Sequence, residues 1–249
     1  MKHGKHVMAI GLLGVLTLAG CAAADSYPVA GGLAHLDCEG AGTTPVVLMA
    51  GLGDTTTVWG PFRETLGADV RTCAWDYPGV GGSTGKSPMT AGVAADALDE
   101  TLAAAAIDRP LVLVGHSIAG LTVRLFVGQH PDDVAGVVLF DPTVSSYAHR
   151  YAAEFQPAWN GAVSAQEVDA VTVWPDIPFE ILRHDTSLSE AQELVDPEVE
   201  ALWTAGQQAF AELAPRGMVT EVVGAGHYVH FDEPQVAADA VLRVLDQVE

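Results

Sequence analysis

Residues 111–120 of the chain read Leu111-Val112-Leu113-Val114-Gly115-His116-Ser117-Ile118-Ala119-Gly120. The first four are apolar without interruption, which is typical of a parallel strand covered on both faces. Residues 118–130 then have the apolar spacing of a helix. A serine between such a strand and helix, with small residues at Gly115 and Ala119, can project its hydroxyl above the sheet. The run therefore predicts a nucleophilic Ser117 at a sharp strand-to-helix turn.

Short apolar runs alternate with longer helical patterns along the chain, which is typical of an α/β fold. The predicted strands are 32–37, 45–50, 70–76, 110–115, 135–140, 178–182 and 218–223. The predicted helices are 58–66, 90–106, 118–130, 189–213 and 233–248. Because several strands are almost continuously apolar, we predict a mostly parallel sheet with helices on both faces.

The composition is that of a compact globular protein. Of the 249 residues, 49% are hydrophobic and 17% are charged, which excludes a disordered chain. We predict one folded domain over residues 31–249. The net charge of −21 repels phosphate groups, so we expect no nucleic-acid partner and no electrostatic docking on a membrane.

The N-terminus has the pattern of an export signal. Lys2 and Lys5 precede an apolar stretch, 7–18, that is too short to span a bilayer comfortably. We therefore predict a signal peptide at residues 1–20, followed by a tether at residues 21–30.

The end of this leader, Leu18-Ala19-Gly20-Cys21, resembles the bacterial lipobox. Cleavage there leaves Cys21 as the lipidated first residue; ordinary cleavage after the Ala22-Ala23-Ala24 run is the alternative. We expect a lipoprotein on the extracytoplasmic side of the cell membrane, held only by its N-terminal lipid, or alternatively a secreted protein.

Two cysteines, Cys38 and Cys73, remain once Cys21 is set aside. An even pair in a chain exported to an oxidising compartment predicts a disulfide. Two buried free thiols are the alternative.

One segment, residues 142–176, connects two predicted strands and is longer than a single connecting helix requires. It carries four aromatic residues at four-residue spacing, which predicts that they share one side of a helix. These residues are Tyr147, Tyr151, Phe155 and Trp159. The stripe is either the underside of a lid over a substrate pocket or a small core of its own. Pro157 is expected to interrupt the helix before Trp159.

A serine nucleophile needs a base, and Gly224-Ala225-Gly226-His227 places a histidine between the last predicted strand and the last helix. His116 adjoins Ser117, and we interpret it as a packing or pocket-lining residue. His230 forms a His-x-x-His pair with His227, but the pattern lacks a third nearby ligand, so we predict no metal site.

These features resemble the α/β-hydrolase superfamily, within it a bacterial branch of exported lipoproteins, over about residues 36–248. The resemblance rests on Leu36-Asp37-Cys38-Glu39-Gly40, on residues 46–59, and on Arg71 to Ser83. Within the last run, Asp76-Tyr77-Pro78-Gly79-Val80-Gly81-Gly82-Ser83 resembles the D-x-x-G-x-G-x-S stretch of the superfamily. The resemblance implies an α/β-hydrolase fold with a short lid between strands 6 and 7, and it strengthens the predicted disulfide. Ala119 departs from the common G-x-S-x-G pattern.

The acid of the expected Ser-His-Asp triad has two candidates. Asp141 directly follows the strand that ends at Phe140, a position that some superfamily members use. Asp185 follows the next strand, where most members place their acid, but the Gly-x-x-Asp spacing usual there is missing. We therefore predict Asp141, which could instead merely cap the turn at Pro142.

The resemblance also places an oxyanion hole at the backbone N–H groups of Leu52 and Ile118. Many members have His-Gly where this chain has Ala50-Gly51, a departure that leaves the backbone donor intact. Gly51 and Gly53 are expected to shape this loop more than the donor residues' side chains do.

These expectations combine into a serine hydrolase that cleaves small-molecule carboxylic esters through an acyl-enzyme. Ser117 attacks the carbonyl carbon, His227 moves the proton, and Asp141 orients the imidazole. No cofactor is required. The alternatives are an amidase, a lactonase or a cofactor-free perhydrolase with the same triad, and a binding lipoprotein whose triad is idle.

Overall fold

The computed structural model describes residues 25–86, 89–188 and 196–248. The predicted signal peptide, Cys21 and the first part of the predicted tether lie outside the described residues, as does the start of the helix predicted at 189–213. Within the described ranges, no helix combines the length and the apolar character that crossing a membrane requires.

The described residues form an eight-stranded sheet in the order β1-β2-β4-β3-β5-β6-β7-β8. Its strands are β1 (Ser26–Val29), β2 (Gly32–Glu39), β3 (Val46–Met49), β4 (Thr72–Trp75), β5 (Leu111–His116), β6 (Val134–Phe140), β7 (Phe179–Arg183) and β8 (Gly217–Glu221). The β1–β2 and β2–β4 pairs are antiparallel, and all others are parallel. The predicted mostly parallel sheet is therefore confirmed.

The helices lie between the strands and after the last of them. They are α1 (Gly60–Leu66), α2 (Ala91–Ala104), α3 (Ala119–Gln129), α4 (Ser145–Arg150), α5 (Gly161–Asp169), α6 (Pro197–Ala211), α7 (Val229–Asp232) and α8 (Pro234–Leu245). Short 3₁₀ helices cover Thr56–Trp59, Pro131–Asp133 and Ala152–Phe155. Helix α8 begins at Pro234, whose fixed φ suits a first helical turn.

The central strands bury both faces, and their side chains alternate between two cores. Val47 and Leu113 belong to the core that contains side chains of α2 and α3. Leu48 and Val114 belong to the core on the other side, which contains side chains of α1 and α8. This double burial explains why β3 and β5 are continuously apolar in sequence.

The sheet begins earlier than the sequence predicts. Residues 26–29, which we expected to belong to the tether, form the edge strand β1 and pair with β2 through a reversal at Gly31, whose φ is +92°. Tyr27 and Val29 pack against the core beneath α2, which explains why this stretch is held to the sheet. The prediction of a tether is wrong for these four residues.

Residues 142–176 form a helical excursion between β6 and β7, built from α4, one 3₁₀ helix and α5. The prediction that the aromatic stripe shares one helix is wrong, because α4 ends at Arg150. Pro157 disfavours a helical conformation at the preceding residue, and Gln156 is extended, with ψ of 148°. Phe155 and Trp159 are buried in the core, as the alternative reading of the stripe expects. A lid role for the excursion stays a prediction.

The predicted disulfide between Cys38 and Cys73 is present. The antiparallel register of β2 and β4 places the two residues directly opposite each other. The bridge therefore ties the antiparallel part of the sheet to β4, the neighbour of the central strand β3.

Replacing both cysteines, Cys38→Ala with Cys73→Ala, is expected to lower the free energy of unfolding by about 3–4 kcal/mol. The bridge joins residues 35 positions apart and so restricts a long loop of the unfolded chain. Guanidinium unfolding followed by circular dichroism measures the change. Reduced wild-type protein should lose the same amount, and a loss below about 1 kcal/mol in both samples would contradict the prediction.

Candidate active site

Ser117 lies at the turn between β5 and α3, as the sequence predicts. Its φ is +55°, in the left-handed region that residues with a side chain seldom adopt. The Ser117 N–H donates to the Phe140 carbonyl at 3.1 Å, which ties the turn to the end of the neighbouring strand β6. Backbone strain of this kind is characteristic of functional sites, and here it lifts the hydroxyl to the edge of the sheet.

Small residues around Ser117 make the turn possible. A Cβ on Gly115 would lie 3.0 Å from the Cβ of Ala119, so the methyl group of Ala119 is accommodated because residue 115 has no side chain. A Cβ on Gly120 would lie 2.6 Å from Pro142 Cβ. The common G-x-S-x-G motif has its second glycine at the position of Ala119. In this chain the glycine is needed one residue later, at Gly120, where α3 approaches the turn after β6.

His227 lies next to Ser117, with its Nε2 atom 3.0 Å from the serine Oγ. On the other side of the ring, Nδ1 is 2.6 Å from Oδ2 of Asp141. A carboxylate accepts hydrogen bonds, so Nδ1 carries the proton and Nε2 accepts from the serine hydroxyl. The structure thus joins the three predicted residues in the order that proton transfer from a serine requires.

Asp141 comes directly after β6 and has a φ of +43°, a second left-handed residue at the same edge of the sheet. Its N–H donates to the Leu182 carbonyl at 2.7 Å. Because β5 and β6 are adjacent and parallel, Ser117 and Asp141 both follow strand ends at one edge. Asp141 does more than cap the Pro142 turn, since its carboxylate reaches His227.

The Asp141 carboxylate is buried, with 1% of the residue exposed, and it accepts hydrogen bonds on both oxygens. Oδ1 accepts from His184 Nδ1 at 2.9 Å, from Trp203 Nε1 at 3.0 Å and from Gln207 Nε2 at 2.9 Å. Burial by itself would raise the pKa of Asp141, but the hydrogen bonds from His184 and His227 outweigh it and hold the pKa below its usual range. Asp141 is therefore ionised at neutral pH.

Asp185, the alternative acid, has another set of contacts. Its Oδ2 accepts from the Gly224 N–H at 2.9 Å, and its own N–H donates to the Ala225 carbonyl at 2.8 Å. Its Oδ1 accepts from the hydroxyl and the N–H of Ser187. Asp185 thus holds the loop that carries His227 and has no hydrogen bond to the imidazole among the described contacts.

Four residues that sequence reasoning missed surround the acid: His184, Glu200, Trp203 and Gln207. His184 Nε2 lies 3.0 Å from Oε1 of Glu200, so its ring connects two carboxylates. Burial lowers the pKa of His184, but the hydrogen bond and charge of Asp141, together with Glu200, outweigh it and raise the pKa to about 9. For Glu200, Trp203 and Gln207, the signal in the sequence is a spacing that places the three residues on one face of a helix.

The two residues predicted for the oxyanion hole, Leu52 and Ile118, come from distant parts of the chain. Ile118 directly follows Ser117, and Leu52 belongs to the loop after β3. Within the part of the chain that the structure describes, neither backbone N–H donates to a protein acceptor. A Cβ on Gly51 would lie 2.8 Å from His116 Nδ1, which explains why the loop needs a glycine there.

His116 and His230 pack beneath the site. His116 is buried, as predicted, and its Nε2–H donates to the His227 carbonyl at 3.0 Å. His230 is fully buried and its ring stacks on Phe140 with centroids 5.6 Å apart. Burial, followed by the charge of His227, lowers the pKa of His116 to about 3 and that of His230 to about 4. Both rings are neutral at physiological pH. His116 packs against the ring of His227, with centroids 4.7 Å apart, and His230 packs against His116 at 4.9 Å.

The comparisons with known proteins agree with this architecture. The model of a family described as having the alpha/beta hydrolase fold matches residues 44–208. The chain is 42% identical over 80 residues to an uncharacterised protein of Schizosaccharomyces pombe, covering 32% of this chain and 15% of that protein. It is 28% identical over 154 residues to Lipase LipV of Mycobacterium tuberculosis, covering 60% of this chain and 58% of the lipase.

A solved structure of a thermophilic esterase from Thermogutta terrifontis has a similar fold. The TM-score is 0.62 at 20% identity, over 87% of this chain and 94% of the esterase. The chain spans less than two thirds of the length of the two curated relatives above. The family match, in contrast, extends over more than half of this chain. The chain belongs to the α/β-hydrolase family.

Proposed function

We propose that the protein is a serine hydrolase that cleaves carboxylic esters through an acyl-enzyme. One observation carries the proposal: the continuous hydrogen-bonded path from Ser117 Oγ through His227 to Asp141, at 3.0 Å and 2.6 Å. The left-handed backbone at Ser117 supports it, because this conformation presents the hydroxyl at the edge of the sheet. The names of the lipase and the esterase above favour an ester as the substrate class.

In the first half of the reaction, Ser117 Oγ forms a bond to the ester carbonyl carbon as its proton passes to His227 Nε2. The carbonyl oxygen becomes an oxyanion, and the N–H groups of Leu52 and Ile118 are the donors that we assign to it. Collapse of this intermediate breaks the carbon–oxygen bond to the alcohol, which leaves with the proton from His227. Asp141 stays ionised throughout and stabilises the imidazolium.

In the second half, His227 takes a proton from a water molecule, whose oxygen attacks the acyl carbon. The acyl–Oγ bond then breaks, the carboxylic acid leaves, and Ser117 regains its proton from His227. With 41% of its side chain exposed, His227 is accessible to the water that this step needs.

We further propose that the enzyme works outside the cytoplasm as a lipoprotein anchored at Cys21, or alternatively as a secreted protein. The Cys38–Cys73 disulfide supports an oxidising compartment. The strongly negative charge leaves the lipid as the means of attachment to an anionic membrane.

A fluorophosphonate probe tests the proposed activity, since it reacts with an activated serine and not with an idle one. We expect mass spectrometry to find the adduct on Ser117 and p-nitrophenyl esters of graded acyl length to be turned over. A folded sample without adduct or turnover would favour the binding protein with an idle triad. Labelling with faster turnover of an anilide or a lactone would keep the triad and overturn the ester assignment.

A further inference from the structure

The two oxygens of the Asp141 carboxylate have different surroundings. Among the described residues, only His227 donates to Oδ2, whereas His184, Trp203 and Gln207 all donate to Oδ1. The triad described above uses Oδ2. Three further hydrogen bonds to the other oxygen are more than a simple triad needs, and they fix the plane of the carboxylate.

These donors reach Asp141 from two directions. His184 directly follows β7, while Trp203 and Gln207 project from α6, at a spacing that places them on one face of that helix together with Glu200. The indole donates from 3.0 Å and the amide of the fully buried Gln207 from 2.9 Å. Helix α6 is thus attached to the acid by hydrogen bonds from two of its own turns.

His184 differs from the other donors because it contacts a carboxylate with each ring nitrogen. Nδ1 lies 2.9 Å from Asp141 and Nε2 lies 3.0 Å and 3.1 Å from the two oxygens of Glu200. An imidazole donates from both nitrogens only when it is protonated, so between two ionised carboxylates this geometry requires an imidazolium. The pKa of about 9 agrees with that reading.

The charges around the acid follow from this assignment. Asp141 and Glu200 contribute two negative charges, and the imidazolium of His184 cancels one of them. The adjacent charged residues are engaged elsewhere: Arg183 pairs with Glu221 at 2.7 Å, and Asp185 accepts from the Gly224 N–H. One net negative charge therefore remains to face His227, the same charge that a single aspartate would present.

We propose that His184 and Glu200 are positioning residues for Asp141: the charged pair fixes Oδ1 so that Oδ2 and one negative charge are presented to His227. This inference rests on the proposed function. Glu200 keeps His184 protonated. The positive charge of His184 in turn compensates the negative charge of Glu200, so that no second net negative charge lies beside Asp141. The pair also links α6 to the acid, so this helix and the triad are ordered together.

The variant His184→Asn tests the pair, because its amide can still donate near the Nδ1 position but carries no charge. We expect kcat to fall roughly 10- to 100-fold with KM changed less than about twofold, since the acid is misplaced and substrate contacts are kept. Without the positive charge of His184, the surroundings of His227 are more negative, and His227 holds its proton to higher pH. The acid limb of the kcat/KM profile should therefore move to higher pH by about one unit.

The matched control is His149→Asn, at a half-exposed histidine that lies 3.5 Å from Asp169 in α5. Wild-type kcat and an unmoved acid limb are expected there. Wild-type behaviour of His184→Asn as well would overturn the positioning role. Should His184→Asn fail to fold, Glu200→Gln replaces it: the amide keeps an acceptor for His184 but removes the charge that keeps the ring protonated. A fall in kcat is again expected, but without a shift of the acid limb to higher pH.

Nitrogen NMR of the histidine rings tests the charge state without any substrate. In the wild type, both ring nitrogens of His184 should stay protonated beyond pH 8, and in Glu200→Gln the ring should titrate at lower pH. A wild-type His184 that is neutral at pH 7 would overturn the inference. Absence of a fluorophosphonate adduct in the wild type would instead refute the proposed function, and the NMR titration would still decide the charge of His184.

Discussion

Ser117→Ala is expected to lower kcat/KM for a p-nitrophenyl ester at least ~10⁴-fold. The substitution removes the atom that forms the acyl-enzyme but leaves the oxyanion donors, so a small residual rate over water remains. Alanine can take the same left-handed backbone as serine at no added steric cost, and the lost hydrogen bond is the one to His227. Stability should therefore change little, and steady-state kinetics on folded protein measure the loss.

The matched control for this variant is Ser146→Ala, at an exposed serine on α4. It should keep wild-type turnover and wild-type labelling by the fluorophosphonate probe. Full activity of Ser117→Ala, or an adduct on another serine, would show that the nucleophile lies elsewhere.

The strand-to-helix turn was predictable from sequence because its determinants are local. The continuous apolar residues of β5 indicate burial on both faces. Gly115 indicates a close contact, and the structure shows that this contact is with Ala119. The replacement of the usual glycine by Ala119 weakened the motif in sequence. The structure explains why Ala119 is tolerated: the residue that comes closest to Pro142, and so has to be a glycine, is Gly120.

The acid could not be settled from sequence, for a reason that lies in the topology. Asp141 and Asp185 follow adjacent parallel strands, β6 and β7, so both lie near the same edge of the sheet. What separates them is the direction of the side chain. The left-handed backbone at Asp141 accompanies a carboxylate that reaches His227, whereas Asp185 turns to the Gly224 N–H.

The residues around the acid were missed because their partners are distant in the chain. His184 lies 43 positions from Asp141, and Gln207 lies 66 positions away. The helical spacing of Glu200, Trp203 and Gln207 is visible in sequence, but a polar face on a helix usually indicates exposure to solvent. Only the approach of α6 to Asp141, the residue that follows β6, turns that face into part of the site.

The contacts of Asp141 make Asp141→Asn unusually informative. An asparagine has one acceptor oxygen and one donor nitrogen in place of two acceptors. Three donors converge on Oδ1, from His184, Trp203 and Gln207, so the amide oxygen has to lie there. The NH₂ group is then directed at Nδ1 of His227, which must accept a hydrogen bond instead of donating one.

This orientation fixes the wrong tautomer of His227. With Nδ1 as the acceptor, the ring proton is on Nε2, which cannot take the proton of Ser117. We expect Asp141→Asn to lower kcat about 10³- to 10⁴-fold with little change in KM, as measured with the same ester. The rate of fluorophosphonate labelling should fall by a similar factor, because the probe needs the same activated serine.

Asp185→Asn is the matched control, since it makes the same chemical change on the neighbouring strand end. Its carboxylate accepts hydrogen bonds from the Gly224 N–H and the Ser187 hydroxyl. Among the described contacts it has no hydrogen bond to His227. We expect a loss of less than about tenfold in kcat, together with a small loss of stability for the weakened hydrogen bonds. If Asp185→Asn were instead the more damaging of the two, Asp185 would be the catalytic acid, and the role inferred for Asp141 and for the His184–Glu200 pair behind it would be wrong.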